Sequence, residues 1–153
     1  MPRFLTALPL ALLPALAAAQ EDPVVTVSDC DWQASAWNLA EPWEENSRTF
    51  SNGKTRLALL DTIEPAAAWA HILVLSPPYS EMGDRQCKTI GYGGMGFGGI
   101  RFNELTSSYD PATGLSFTVP VQAYNSATAD FDWYSLRFTL NQATGDITTA
   151  LTQ

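Results

Sequence analysis

The sequence predicts an all-β fold, either an antiparallel β-sandwich or a small barrel, with about seven or eight strands and a C-terminal meander. One indication is the alternation of apolar and polar side chains over 115–123 and 134–140, which is the period of half-buried antiparallel strands. Another is a motif that recurs at intervals of 15 and 16 residues, as "YDPATG" at 109–114, "YNSATA" at 124–129 and "LNQATG" at 140–145. Because Asp or Asn, Pro and Gly are turn residues, each motif is interpreted as a hairpin turn.

The N-terminal stretch, residues 1–19, has the features of a secretory signal peptide. A basic residue, Arg3, precedes an apolar run that two prolines interrupt, and three alanines at 17–19 offer a small-residue cleavage site. We expect cleavage after Ala19, which leaves 20–153 as a single β-rich domain. The Ala/Leu/Pro-rich style is typical of bacterial export, so the expected location is periplasmic or secreted, with no membrane span after cleavage.

The charge balance is strongly acidic. Without Arg3, seven Lys and Arg residues stand against 16 Asp and Glu residues, a net charge of −9. Such a field repels nucleic acid and anionic lipid and favours a basic partner. We therefore expect no nucleic-acid binding, and we expect any partner to be a protein.

Two cysteines, Cys30 and Cys87, allow one disulfide connectivity. The alternative is a thiol pair in metal or redox chemistry, which the missing C-x-x-C spacing and the single histidine disfavour. We predict a disulfide that ties the N-terminal segment to the strand entering the glycine-rich stretch, and no bound metal. Closing so long a loop stabilises the fold by roughly 4 kcal/mol on the chain-entropy model.

The first half of the domain divides into an irregular part and a β-patterned part. Residues 20–28 contain one strand-like run, "VVTV", and 29–53 carry three tryptophans among acidic residues without a clear period. We interpret 29–53 as an irregular segment laid over the core, with one helical turn near 33–40. The runs 54–63 and 68–76 predict a hairpin around "EPAA".

Four further local predictions rest on composition. The second hairpin strand is apolar at nearly every position, which favours a central strand covered on both faces. "SPPYSEMGD" at 76–84 is interpreted as a loop that begins at a Pro-Pro stop. "IRFNELTSSY" at 100–109 is interpreted as a strand, and Pro120 predicts an edge or a bulge.

The stretch 90–100, "IGYGGMGFGGI", contains the pattern G-x-G-x-x-G twice. A dinucleotide site needs a helix after this pattern, whereas a strand is predicted there, so we expect neither phosphate binding nor a cofactor. Two interpretations remain open. The glycines serve a bulged or tightly packed connection, or they present Tyr92, Met95 and Phe97 to a partner or an apolar ligand.

The other residues of types that can carry out chemistry are interpreted mainly as structural or solvent-exposed. His71 lies in an apolar strand and is expected to be a buried core histidine, because no nucleophile signature accompanies it. The acidic pairs, Asp29/Asp31, Glu44/Glu45 and Asp130/Asp132, are expected to be solvated residues of turns and rims, because no calcium-binding loop pattern is present. The tryptophans either cover one end of the β-core or form a stacking platform for sugars.

The leading functional hypothesis is an exported, non-catalytic binding or accessory protein that acts through protein–protein contact. One version is an inhibitor of a basic hydrolase, toward which the negative charge would steer it. The alternatives are a small carbohydrate-active hydrolase or sugar-binding module that uses scattered carboxylates and Trp, and a structural subunit of an envelope assembly. No catalytic residues are predicted.

Overall fold

A computed structural model describes residues 24–63 and 68–153. The predicted signal peptide at 1–19 and the "EPAA" turn at 64–67 lie outside these residues. Ten strands are found in the described residues: β1 Val25–Asp29, β2 Ser47–Phe50, β3 Thr55–Asp61, β4 Ala70–Tyr79, β5 Arg85–Tyr92, β6 Gly99–Ile100, β7 Thr106–Asp110, β8 Gly114–Asn125, β9 Asp130–Leu140 and β10 Ile147–Thr152. Three short 3-10 turns accompany them, at Trp32–Ala34, Ala36–Asn38 and Phe102–Glu104.

The strands form two antiparallel sheets of five strands each. The first sheet has the order β1-β5-β4-β3-β2, and the second has the order β10-β9-β8-β6, with β7 also paired to β8. The all-β prediction is confirmed, and of its two alternatives the two-layer sandwich is the one observed. The strand count exceeds the predicted seven or eight because the predicted strand at 100–109 is divided between β6 and β7, and because β2 lies in a segment predicted to be irregular.

The C-terminal meander is confirmed as β8, β9 and β10. The β8–β9 pairing runs from Leu115 opposite Leu140 to Asn125 opposite Asp130, and the apolar members of both alternating runs face the interior. In the middle of the core, the Phe117 ring stacks on Phe138 with centroids 4.9 Å apart. The hydrophobic period therefore sets which face of this sheet turns inward.

The three repeated motifs form the same kind of turn. In each, an Asp or Asn side chain accepts a hydrogen bond from the backbone N–H two residues on, in the pairs Asp110–Ala112, Asn125–Ala127 and Asn141–Ala143, at 2.7, 2.9 and 3.0 Å. The closing residue has positive φ in every case, at +106° for Gly114, +54° for Ala129 and +84° for Gly145. Ala129 is the poorest fit, because a residue with a Cβ is strained in this region.

A second, smaller apolar cluster lies on the outer face of the first sheet. Ala58, Leu60 and Leu73 point outward there and are covered by side chains of the segment that follows β1, including Ala34 and Leu39. This confirms that the first part of 29–53 lies over the sheet and that β4 is covered on both faces. The prediction that all of 29–53 is irregular is wrong, because Ser47–Phe50 pairs with β3 as the edge strand β2. The helical turn predicted near 33–40 occurs as two 3-10 turns.

The predicted disulfide is confirmed. Cys30 and Cys87 are bonded, with Cα atoms 5.3 Å apart and 57 residues apart in sequence. Both cysteines pack beside the smaller apolar cluster, so the bond fixes the start of the covering segment to β5. A disulfide of this kind is typical of an oxidising, extracytoplasmic environment.

Three further local predictions are wrong. The Pro-Pro pair does not begin a loop, because β4 continues to Tyr79 through a register shift between Ser76 and Tyr79 that accommodates residues without an N–H. The predicted strand at 100–109 is broken by the 3-10 turn between β6 and β7. Pro120 lies in the interior strand β8. Its carbonyl accepts the Arg101 N–H at 3.0 Å, so its backbone edge faces the break between β6 and β7, where no strand needs the N–H that proline lacks.

Candidate functional site

The glycine-rich stretch begins with a tight turn at the end of β5. Tyr92 and Met95 exchange two backbone hydrogen bonds, both of 3.0 Å, across Gly93 and Gly94. These two glycines have φ of +60° and +75°, the left-handed pair that a two-residue hairpin turn of type I′ requires. The turn therefore places Met95 at a fixed position beside the end of the first sheet.

The chain then crosses from one sheet to the other. Phe97 forms a two-way backbone bridge with Ala70 of the first sheet, at 2.8 and 3.0 Å. One residue later, the Gly98 N–H donates to the Gln122 carbonyl of the second sheet at 2.8 Å. The glycine-rich stretch is thus the connection between the two layers.

Close packing explains two of these glycines. A methyl group at Gly96 would overlap the carbonyl oxygen of Ala68, and one at Gly98 would overlap the ring of Phe131. The structural interpretation of the stretch therefore accounts for these glycines. Among the described residues, only the three-residue 3-10 turn Phe102–Glu104 lies between this stretch and β7, and no α-helix follows whose N-terminus could hold a phosphate.

The three residues predicted as a contact surface lie in different environments. Met95 is 63% exposed and Tyr92 is half-buried, whereas Phe97 is fully buried. The prediction that Phe97 belongs to the contact surface is wrong. Its bridge to Ala70 directs the side chain into the core, where it packs against Tyr92 with ring centroids 6.1 Å apart. Tyr92 and Met95 remain the accessible part of the predicted site.

An apolar groove lies between the glycine-rich connection and the tip of the β8–β9 hairpin. Its volume is about 280 Å³, and we call it the aromatic groove; its lining consists of Ala68, Tyr92, Gly93, Met95, Gly96, Tyr124 and Phe131. The rings of Tyr124 and Phe131 meet edge to face with centroids 5.5 Å apart. The only side-chain polar atoms in this lining are the tyrosine hydroxyls, so the groove suits an apolar occupant.

Sequence reasoning missed the wall formed by Tyr124 and Phe131. The sequence did contain a signal, because the alternation of each strand places Tyr124 and Phe131 on its outward face, together with the pair Gln122 and Trp133. Large aromatic residues on the polar side of a strand next to a turn are candidates for exposed contact positions.

The β8–β9 hairpin also carries two acidic residues, which alternate with Phe131 along β9 and therefore lie on the opposite face of the hairpin. Asp130 accepts the Phe131 N–H at 2.7 Å, and Asp132 accepts a hydrogen bond of 2.7 Å from the Asn125 amide. Further along the outer face, the Arg101 guanidinium lies 4.1 Å from the Trp133 ring centroid and 3.7 Å from a Glu104 carboxylate oxygen. The hairpin therefore has its apolar wall on one face and the carboxylates of Asp130 and Asp132 on the other.

His71 is buried in β4, as expected for a core histidine. Burial lowers its pKa, which favours the neutral imidazole. Two polar residues of the same hairpin are engaged elsewhere: Ser76 bonds Gln86 and the Pro77 carbonyl, and Asp61 accepts the Ile63 N–H.

The acidic pairs do not converge on one cleft. Asp29 binds Lys88 at 2.7 Å near the start of β5, whereas Asp130 and Asp132 belong to the hairpin near the end of β5. Glu44 and Glu45 lie in the segment over the first sheet and are exposed. No group of three or more His, Cys, Asp or Glu suited to a metal ion occurs within 24–63 and 68–153.

Neither a protein-family model, nor a curated protein, nor a solved structure matches the chain. In the part of the chain that the structure describes, no helix has the length and apolar character needed to cross a membrane.

Proposed function

We propose that the protein is an exported binding protein, periplasmic or secreted, which acts by holding an apolar side chain of a partner protein in the aromatic groove. The observation that carries the proposal is the groove itself, whose lining is almost wholly apolar and which includes the exposed Met95. Aromatic and Met side chains are enriched in the cores of protein interfaces.

The size of the groove favours a side chain over a larger ligand. Sites for drug-sized molecules span about 300–1,000 Å³, and the aromatic groove, at about 280 Å³, falls just below that range. A sugar would need several hydrogen-bond partners, and the lining offers two side-chain hydroxyls. One or two apolar side chains fill such a groove without leaving polar groups unpaired.

The overall charge gives this proposal its charge preference. The net charge after signal removal is −9, and two of the acids, Asp130 and Asp132, belong to the same strand as Phe131. A partner with basic residues beside its apolar anchor is therefore favoured, and a cationic hydrolase inhibited by this protein is one specific form. That form predicts inhibition at micromolar protein and binding that weakens as salt concentration rises.

The test compares matched variants in co-purification from the exported fraction. Met95→Ala with Tyr124→Ala removes both accessible walls, and Met82→Ala with Tyr109→Ala makes the same changes at exposed positions elsewhere. The proposal predicts that one specific partner is lost from the first variant and retained by the second. Retention by both variants would show that the groove is not the contact site.

A further inference from the structure

A second surface has the composition of an interface and lies away from the aromatic groove. The segment 30–46, which we call the tryptophan segment, covers the outer face of the first sheet and exposes three large indoles. Trp37 is 85% exposed, and Trp32 and Trp43 are each 58% exposed. Tryptophan is the side chain most enriched at the energetic centres of protein interfaces, so this degree of exposure needs an occupant.

The charge of the tryptophan segment is of one sign. It contains four carboxylates, Asp31, Glu41, Glu44 and Glu45, and no Lys or Arg. Among the described residues, none of these four side chains forms an ion pair, since the salt bridges there join Lys88 to Asp29 and Arg101 to Glu104. The four carboxylates therefore carry no ion pair within the described residues, and Arg56 of β3 is a cation that lines a cavity together with Trp43.

The tryptophan segment is held in one conformation before any ligand binds. The buried Asn38 amide donates to the carbonyls of Trp32 and Gln33 at 3.2 and 3.1 Å, which closes the two 3-10 turns against each other. The Ala40 N–H donates to the Leu59 carbonyl at 3.0 Å, which attaches the middle of the segment to β3.

The two ends of the segment are fixed as well. Cys30 is bonded to Cys87 of β5, and the Leu59 N–H donates to the Asn46 carbonyl at 2.9 Å. Because the backbone is already ordered, little conformational entropy is lost when the surface is covered.

We propose that the tryptophan segment binds a basic segment of a protein, with Lys or Arg side chains placed on the indole faces and beside the carboxylates. An indole face attracts a cation through its quadrupole, and a neighbouring carboxylate adds charge pairing and hydrogen bonds. The pairing of exposed indoles with unpaired acids selects a cation over a neutral sugar, which would use the rings and leave the charges unused. This surface is separate from the aromatic groove, so its test stands or falls independently of the proposed function.

The experiment follows the five tryptophan indole N–H resonances by ¹⁵N NMR while a synthetic peptide of alternating Arg and Gly is added. The proposal predicts that the Trp32, Trp37 and Trp43 resonances shift and that Trp69 and Trp133 do not. It also predicts that added salt weakens the binding, and that a Glu/Gly peptide or a neutral oligosaccharide shifts none of the five.

Two matched pairs of variants separate the surface from the overall charge. We expect Trp37→Ala to weaken peptide binding roughly tenfold, and Trp133→Ala to leave it unchanged. We expect Glu44→Gln with Glu45→Gln to weaken it, and Glu81→Gln with Glu104→Gln, an equal change in net charge, to have little effect.

The proposal would be overturned by equal weakening within either pair, by shifts at all five indoles, or by an oligosaccharide that reproduces the peptide's shifts. Absence of binding at millimolar peptide would overturn it as well. Variants of the aromatic groove, Met95→Ala with Tyr124→Ala, should bind the peptide as the unaltered protein does.

Discussion

Removing the disulfide gives the most quantitative test of how the covering segment is held. The perturbation is Cys30→Ala with Cys87→Ala, which deletes the bond and leaves no polar group in the smaller apolar cluster. With the two positions 57 residues apart in sequence, the chain-entropy model assigns the cross-link about 4 kcal/mol. Since a domain of this size has a total stability of about 5–15 kcal/mol, the loss is a large fraction of the whole.

Urea denaturation with linear extrapolation measures the change in the free energy of unfolding. At about 3 °C per kcal/mol for a domain of this length, the melting temperature should fall by about 12 °C. The unaltered protein reduced with dithiothreitol is the control, and it should lose a similar amount. A loss below 1 kcal/mol in both samples would refute the assignment of about 4 kcal/mol to the cross-link.

The reduced protein should also show a local effect. The Ala40 N–H of the tryptophan segment donates to the Leu59 carbonyl of β3. This amide should exchange with solvent faster once the Cys30 end of the segment is released. Unchanged protection of this amide, together with a lower global stability, would place the effect of the bond in the unfolded state alone.

Three further changes probe the turns, the buried histidine and the glycine connection. Ala129→Gly should raise the free energy of unfolding by about 0.5–1 kcal/mol. The reason is that relief of about 1–2 kcal/mol of left-handed backbone strain exceeds the cost of the added entropy of the unfolded chain. Thermal melting measures this change, and Ala127→Gly in the same turn, the control, should not stabilise the protein. Burial lowers the pKa of His71 in the folded state, so its contribution to stability is complete above about pH 6.5 and declines as the pH falls through that value. Between pH 7 and pH 5, the urea midpoint of His71→Phe should therefore drop less than that of the unaltered protein. An equal drop in the two proteins would contradict this. Gly98→Ala should destabilise the fold by more than 1 kcal/mol, because its methyl group would meet the Phe131 ring, and a combined Phe131→Leu substitution should restore part of the loss in the same assay.

Sequence patterns predicted the second sheet better than the first. Alternation from Leu115 to Ala123 specifies one buried face, and the Asx turns at Asp110, Asn125 and Asn141 depend on side chains within two residues of the bonds they make. Both signals are local, so they can be recognised from the sequence alone. The extension of β4 through two prolines depends instead on a register shift against β5, which no local pattern reports.

The candidate site was only partly predictable for a similar reason. The glycine run marked where the chain turns and crosses, and Met95 was correctly placed among the accessible residues. Phe97 has the same composition-based claim to exposure, but its side chain is buried because a long-range bridge to Ala70 orients it. Tyr124 and Phe131 complete the groove from a hairpin about 30 residues further along the chain, a juxtaposition that only the folded structure brings about.

The most direct test of the central proposal is site-specific photo-crosslinking in the exported fraction of the producing cell. A photoreactive residue at position 95 reports on the aromatic groove, and the same residue at position 82, another exposed methionine, is the control. The proposal predicts a covalent adduct with one particular protein from position 95 that is absent from position 82 and diminished by Tyr124→Ala. Equal adducts from both positions, or none from position 95, would contradict the account of the groove as a protein-binding site.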